Sequence, residues 1–174
     1  MLQRYVLQHA FLCGIKYDVM GEALKRRIRQ ERFESAAQEA FLNLLVVADY
    51  LREKLDRICA NHGITHGQYN VLRILRGVYP EGHPRCEIAA RLLERAPDVT
   101  RMVDRLEKEG LVERDRSTED RRLSITRITK KGLKLVDNMT PEVEEVTVEF
   151  KSKLTKQELK AISDTCERLY GNES

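Results

Sequence analysis

Apolar residues recur at steps of three and four over residues 33–59, where Phe33, Ala37, Ala40, Phe41, Leu44, Ala48, Leu51, Leu55 and Ile58 mark one stripe. That spacing follows the turn of an α-helix and predicts an amphipathic helix of about seven turns, ended near Gly63. A stripe of this length is more than one small domain hides by itself, so it predicts a second subunit against it. Thr65-His66-Gly67-Gln68 then has the form of a capping box, in which hydroxyl and amide satisfy each other's backbone N–H. The helix it opens carries Tyr69, Val71, Leu72 and Leu75 and stops before Gly77. Residues 77–84, with Gly77, Pro80, Gly82 and Pro84, read as a loop.

Two short helices are predicted next. Residues 87–93 place Ile88, Ala89, Leu92 and Leu93 inward. After a three-residue link at 94–96, Pro97 suits the first helical position, where its fixed φ helps and its missing N–H costs nothing. Val99, Met102, Val103 and Leu106 form the inner face of this second helix, and Gly110 is expected as its left-handed cap. Two helices joined so tightly make a helix-turn-helix. Residues 111–116 and 122–128 read as strands around a charged tip at 115–121, a hairpin with too few apolar positions to cover both faces. Thr129 caps a helix through Leu133, Val136 and Met139, which Thr140-Pro141 is expected to kink or restart. Val143, Val146, Val148, Phe150 and Leu154 continue it. Thr155-x-x-Glu158 is a second capping box, opening a helix striped by Leu159, Ile162, Cys166 and Leu169.

Composition narrows the class. The chain has 174 residues, 41% hydrophobic and 34% charged, with 6% aromatic residues and no tryptophan. This suits one domain with helical extensions and a real core, and is too short for a barrel enzyme. The longest apolar run, residues 44–48, falls far short of the roughly 20 residues of a membrane span. Net charge is +4 over residues 1–30, −1 over 31–84, +3 over 85–131 and −3 over 132–174. Positive charge therefore gathers at the front and in the third quarter, which hints at a polyanion facing the middle of the chain. Cys13, Cys59, Cys86 and Cys166 show no C-x-x-C spacing, so free thiols in a reducing cytoplasm are expected. The start reads poorly as a secretory signal. Met20-Gly21 ahead of Lys25, Arg26, Arg27 and Arg29 looks like a second plausible beginning, which makes residues 1–19 an extension or a misassigned start.

Two segments carry a family pattern. One is Ile88-Ala89-Ala90-Arg91-Leu92 through Asp98-Val99-Thr100-Arg101-Met102-Val103-Asp104-Arg105-Leu106-Glu107-Lys108-Glu109-Gly110-Leu111-Val112. The other is Asp120-Arg121-Arg122 followed by Ile128-Thr129-Lys130-Lys131-Gly132. Together they resemble the multiple-antibiotic-resistance-regulator (MarR) family of bacterial winged-helix repressors, over roughly residues 33–171. The resemblance implies a mainly α fold with a small β-hairpin wing, a winged helix-turn-helix made dimeric by its N- and C-terminal helices. The expected organisation is an N-terminal extension, partly helical or disordered, over 1–32, a dimerisation helix over 33–63, the DNA-binding domain over 64–130, and C-terminal dimerisation helices over 131–174. The long apolar stripes at both ends agree, since two-fold symmetry lets one stripe serve both subunits.

Function follows as an expectation: a sequence-specific regulator of transcription binding double-stranded DNA at a palindromic operator, as a cytoplasmic homodimer. The helix opened by Pro97 enters the major groove, with Asp98, Thr100, Arg101 and Arg105 as its polar residues and Arg95 beside it. Arg101 is the expected base reader, because its fork spans guanine O6 and N7; Asp104 is the residue that could instead tie it down. In the hairpin, Arg122 is placed at the minor groove with Asp120 as its orienting partner, and Arg116 and Arg121 add charge directed at phosphates. The basic run at 25–29 touches flanking DNA or stays disordered.

Family members release DNA when a small aromatic anion binds or a cysteine oxidises, so a small-molecule inducer is expected and repression is the expected sense. The urate-responsive branch carries a pocket tryptophan, and its absence here argues against urate. The alternatives are a redox- or zinc-responsive regulator of the same fold and a dimeric interaction module that has lost DNA binding. Cys59, His62 and His66 have spacing compatible with zinc, but Gly63 interrupts them and no fourth ligand is evident; Cys59 and Cys166 read more simply as buried, inert thiols. No phosphate loop, nucleophile elbow or H-E-x-x-H is present, so neither enzyme, cofactor, metal nor membrane is expected.

Overall fold

A computed structural model of the chain describes residues 21–93, 98–116 and 124–171. In order, the elements are α1 (Glu22–Ile28), α2 (Ala36–Asn61), α3 (His66–Arg76), β1 (His83–Pro84), α4 (Arg85–Arg91), α5 (Val99–Lys108), β2 (Val112–Arg116), β3 (Ser124–Ile128), α6 (Lys130–Ser152) and α7 (Lys156–Tyr170). They fall into two compact units divided between Tyr50 and Leu51.

In the first unit, α1 buries Leu24 and pairs Glu22 with Lys25 at 2.9 Å. Arg27 reaches Asp49 at 3.2 Å. Residues 25–28 of the basic run therefore lie in a short helix that Arg29 caps, and two of the cations are engaged with carboxylates. The helix expected from Phe33 begins at Ala36. Ser35 opens the turn before it, its hydroxyl accepting the Gln38 N–H at 3.1 Å.

In the second unit, α3 is the central rod. Its capping box forms as expected, with Thr65 Oγ1 accepting the Gln68 N–H and Gln68 Oε1 accepting the Thr65 N–H. Tyr69, Val71, Leu72 and Leu75 are buried against Ile88 of α4, Val103 and Leu106 of α5, and Val136 and Met139 of α6. Gly110 has φ +68°, a left-handed turn that a side chain would strain, and it swings the chain from α5 into β2.

The hairpin forms, and it gains a strand. The sheet order is β1-β3-β2, with His83 and Pro84 opposite Thr126 and Ile125. The loop expected over 77–84 thus ends as an edge strand, the position in a sheet where a proline is tolerated. In the β2–β3 ladder Val112 faces Ile128, Arg114 faces Thr126, and Arg116 faces Ser124. Val112, Thr126 and Ile128 are buried on one face.

Three other expectations change. Helix α4 ends at Arg91, and Leu92 takes an extended conformation. Leu93 consequently leaves the inner face and is 81% exposed, while Leu92 still packs on the core; Ala89 is exposed as well. Helix α5 begins at Val99 rather than at Pro97, because Asp98 takes the N-cap. Helix α6 runs through Pro141 without restarting. A mid-helix proline removes one backbone hydrogen bond, and here the Thr140 hydroxyl donates to the Val136 carbonyl at 2.8 Å beside it.

Candidate nucleic-acid interface

Helix α5 divides its residues by face. Val99, Val103 and Leu106 are buried and Met102 packs behind them, which leaves Arg101 and Arg105 exposed on the other side. The first turn is built by Asp98, whose Oδ1 accepts the Arg101 N–H at 3.0 Å. Its Oδ2 lies 2.9 Å from Arg101 Nε. An Asp at this position satisfies one of the four free N–H groups of a helix start. Asp98, expected on the DNA-facing surface, therefore has both oxygens engaged within the protein, and it is Asp98 rather than Asp104 that holds Arg101.

Asp104 is turned to another task. It pairs with Arg114 of β2 at 2.8 Å, and Glu107, one turn on, accepts from Arg114 Nε at 2.9 Å and from its Nη2. A strand residue thus grips two carboxylates on one face of α5. Glu107 holds Arg114 above the ordinary guanidinium range, with Asp104 adding to it against the cost of partial burial; Arg114 in turn pulls the Glu107 carboxyl below its usual value. Sequence reasoning missed Arg114. The signal was its parity: it shares a strand face with inward Val112, opposite a helix offering carboxylates at i and i+3.

Thr100 is half-buried, and its Oγ1 accepts from Arg85 Nη1 at 3.0 Å. Arg85, at the start of α4, was also missed, because nothing local relates it to α5. Between these elements lies a cleft of about 370 Å³ lined by Arg85, Thr100, Arg114, Ser124 and Thr126. Along the wing, Arg127 of β3 pairs diagonally with Asp115 of β2 at 2.7 Å. Arg116 closes β2 opposite Ser124. Arg95, Pro97, Asp120, Arg121 and Arg122 lie outside the described residues, as does Cys13.

The residues weighed for zinc are not brought together. Cys59 is fully buried, and burial pushes its thiol up to about 11. His62 Nε2 lies 2.6 Å from Glu142 Oε1, and His66 sits 3.4 Å from the Asn70 amide. No group of three metal-ligating side chains forms among the described residues. No helix among them is long and apolar enough to cross a membrane. Cys166 is half-buried and Cys86 exposed.

Apolar surface remains open on the helices at both ends. Phe41, Leu44, Leu45 and Val47 of α2 are exposed, Phe41 by 60%. On α6 and α7 the same is true of Val148, Ile162, Leu169 and Tyr170.

The chain matches the sequence model of the MarR family over residues 64–124, a span that contains α3, α4, α5 and β2. It is 27% identical over 120 residues to the HTH-type transcriptional regulator MhqR of Bacillus subtilis, covering 68% of this chain and 81% of that protein. Among solved structures, the MarR transcription factor from Planctomyces limnophilus is 37% identical, with a TM-score of 0.60 over 78% of this chain and 98% of that one. Sco3205 of Streptomyces coelicolor, a MarR family transcriptional regulator solved in complex with DNA, is 21% identical and has a TM-score of 0.73 over 83% of this chain and 93% of its own.

Proposed function

The chain belongs to the MarR family and is a DNA-binding transcriptional regulator; from that premise we propose that it acts in the cytoplasm as a homodimeric repressor of a palindromic operator. In this reading α5 enters the major groove and the hairpin tip lies along the adjacent minor groove. Arg101 reads a guanine edge, Arg105 supports it, and Thr100 and the helix start approach the phosphates. The wing contributes Arg116, Arg121 and Arg122, with Asp120 orienting Arg122, and Arg95 adds charge ahead of the helix. The observation that carries the reading is the division of α5: one face is sealed into the core, and the opposite face presents two arginines on a rigid rod.

The open apolar faces of α2, α6 and α7 support a dimer, since exposed patches of this kind mark association surfaces. The domain organisation follows from it, with the terminal helices pairing the subunits and residues 64–130 holding DNA. A small aromatic ligand that favours a DNA-incompetent arrangement of the two lobes shifts the population and releases the operator. The protein performs no reaction of its own in this scheme.

Hydroxyl-radical footprinting of the promoter next to its own gene tests the dimer and its geometry together. Two protected half-sites about one helical turn apart are expected. A single protected patch contradicts the two-fold arrangement.

A further inference from the structure

We propose that Asp98 is a positioning residue for base reading, its carboxylate aiming the Arg101 guanidinium at a guanine of the operator. The inference rests on the assignment of α5 to the major groove and adds to it the residue on which discrimination depends.

One short side chain holds Arg101 at two places. Asp98 Oδ1 accepts the Arg101 backbone N–H at 3.0 Å, and Oδ2 stands 2.9 Å from Nε of the same residue. Most exposed ion pairs fix little, because two long side chains must both be ordered to hold one geometry. Here the carboxylate is already held by its own capping bond, and the buried Val99 beside it fixes the phase of the first turn. Only Arg101 has to be ordered.

The shape of the contact suits guanine. The closest approach is through Nε, on the inner edge of the guanidinium, while the side chain keeps 83% of its surface exposed. A guanine edge calls for the two terminal nitrogens, presented in plane towards O6 and N7. Arg105, one turn on, has no such tether: Asp104 and Glu107 are both engaged by Arg114, and Arg105 makes no ion pair among the described residues. A fixed approach is therefore built for Arg101 alone of the two. An acidic residue on a DNA-facing helix end is otherwise repelled by phosphates; pairing with Arg101 and the positive end of the helix dipole offset that repulsion.

The test compares sequence preferences of the full-length protein and its variants, selected from a pool of random-sequence duplexes and read by sequencing. Asp98→Ser and Asp98→Asn both keep an oxygen that caps the helix, so the thermal midpoint stays close to wild type. Wild type is expected to fix one guanine per half-site, and both Asp98 variants to relax that position on the order of tenfold while the others hold. Arg101→Ala relaxes the same position, and combining it with Asp98→Ser adds nothing further. If Arg101→Ala relaxes the position and both Asp98 variants keep the wild-type profile, Asp98 is a cap only and the inference is overturned while the assignment of α5 stands. Recovery of no preferred sequence by the wild-type protein overturns the assignment and the inference together.

Discussion

Arg114 of β2 and Asp104 of α5 meet at 2.8 Å, and Glu107 takes the same guanidinium one turn further along. This clamp is a charge-assisted link between strand β2 and helix α5. Arg114→Gln is expected to cost about 1 kcal/mol of stability, a small figure because all three groups remain partly wetted. Its effect on DNA affinity is expected to be larger, since in the proposed binding mode wing and helix meet the duplex together. The two are separated by urea unfolding and by DNA titration of the same variant. A pH signature accompanies it. Glu107 is held below its ordinary 4.5, so its contribution is complete above that value and is lost as pH falls through the lower folded value. Acid unfolding of Arg114→Gln is therefore expected to be shallower below pH 4.5 than that of wild type.

Gly132 lies against the turn that leads into the wing. A methyl group there collides with the Leu111 carbonyl oxygen and comes within 2.7 Å of Ile128 Cγ1. Neither neighbour is the free end of a flexible chain. Gly132→Ala is expected to destabilise the protein by roughly 2 kcal/mol, as overpacking of a buried contact does. The urea midpoint should fall with an unchanged slope, whereas Lys131→Ala, at an exposed neighbour, should leave it nearly in place.

These two sites show what the sequence made legible and what it did not. Capping boxes at Thr65 and Thr155, the cap at Thr129 and the inner face of α5 are all local patterns, written in steps of no more than four residues, and each forms as read. Arg114 and Arg85 escaped because their partners lie on other elements, and only the fold decides which carboxylate or hydroxyl they meet. Strand β1 escaped because two residues, one of them proline, show no alternation. The fixed φ of Pro97 points to it as the first helical residue, but the neighbouring Asp98 carboxylate satisfies a free N–H and takes the cap, so α5 opens at Val99. A restart at Pro141 is the local expectation because a mid-helix proline has a real cost, but α6 stays one helix, with Val136, Met139 and Val143 packed on the core on either side.

Cys59 should be chemically silent in the folded protein. It is fully buried, and its thiol is pushed up to about 11 by burial first and by the nearby Asp56 carboxylate second. Labelling with iodoacetamide at pH 8, read peptide by peptide, is expected to modify exposed Cys86 while Cys59 reacts about 100-fold more slowly. Full denaturation should erase the difference. Because the folded value lies above the ordinary 9.0, the stabilising contribution of the protonated thiol stands in full below pH 9 and is lost as pH rises towards 11. Equal labelling of both cysteines at pH 8 would contradict the buried placement.

The apolar face of α2 should be covered by a second copy of the chain. Phe41→Glu places a charge on its most exposed aromatic residue and is expected to weaken dimerisation about a hundredfold, as loss of a central anchor does. Sedimentation velocity at micromolar concentration reads it directly. Wild type is expected to sediment as a dimer and the variant largely as a monomer, with helical content unchanged by circular dichroism. A monomeric wild type would remove the basis for paired half-sites.

In the proposed function a rigid arginine-bearing helix and a charged wing together hold duplex DNA. Fluorescence anisotropy of a labelled duplex from the promoter beside its own gene, titrated at several salt concentrations, tests this joint hold most directly. Nanomolar binding that weakens steeply with salt is expected for the wild-type protein, with Arg122→Ala weaker throughout and flatter in its salt dependence by about one phosphate contact. Failure of the wild-type protein to bind that duplex even at low salt would contradict it.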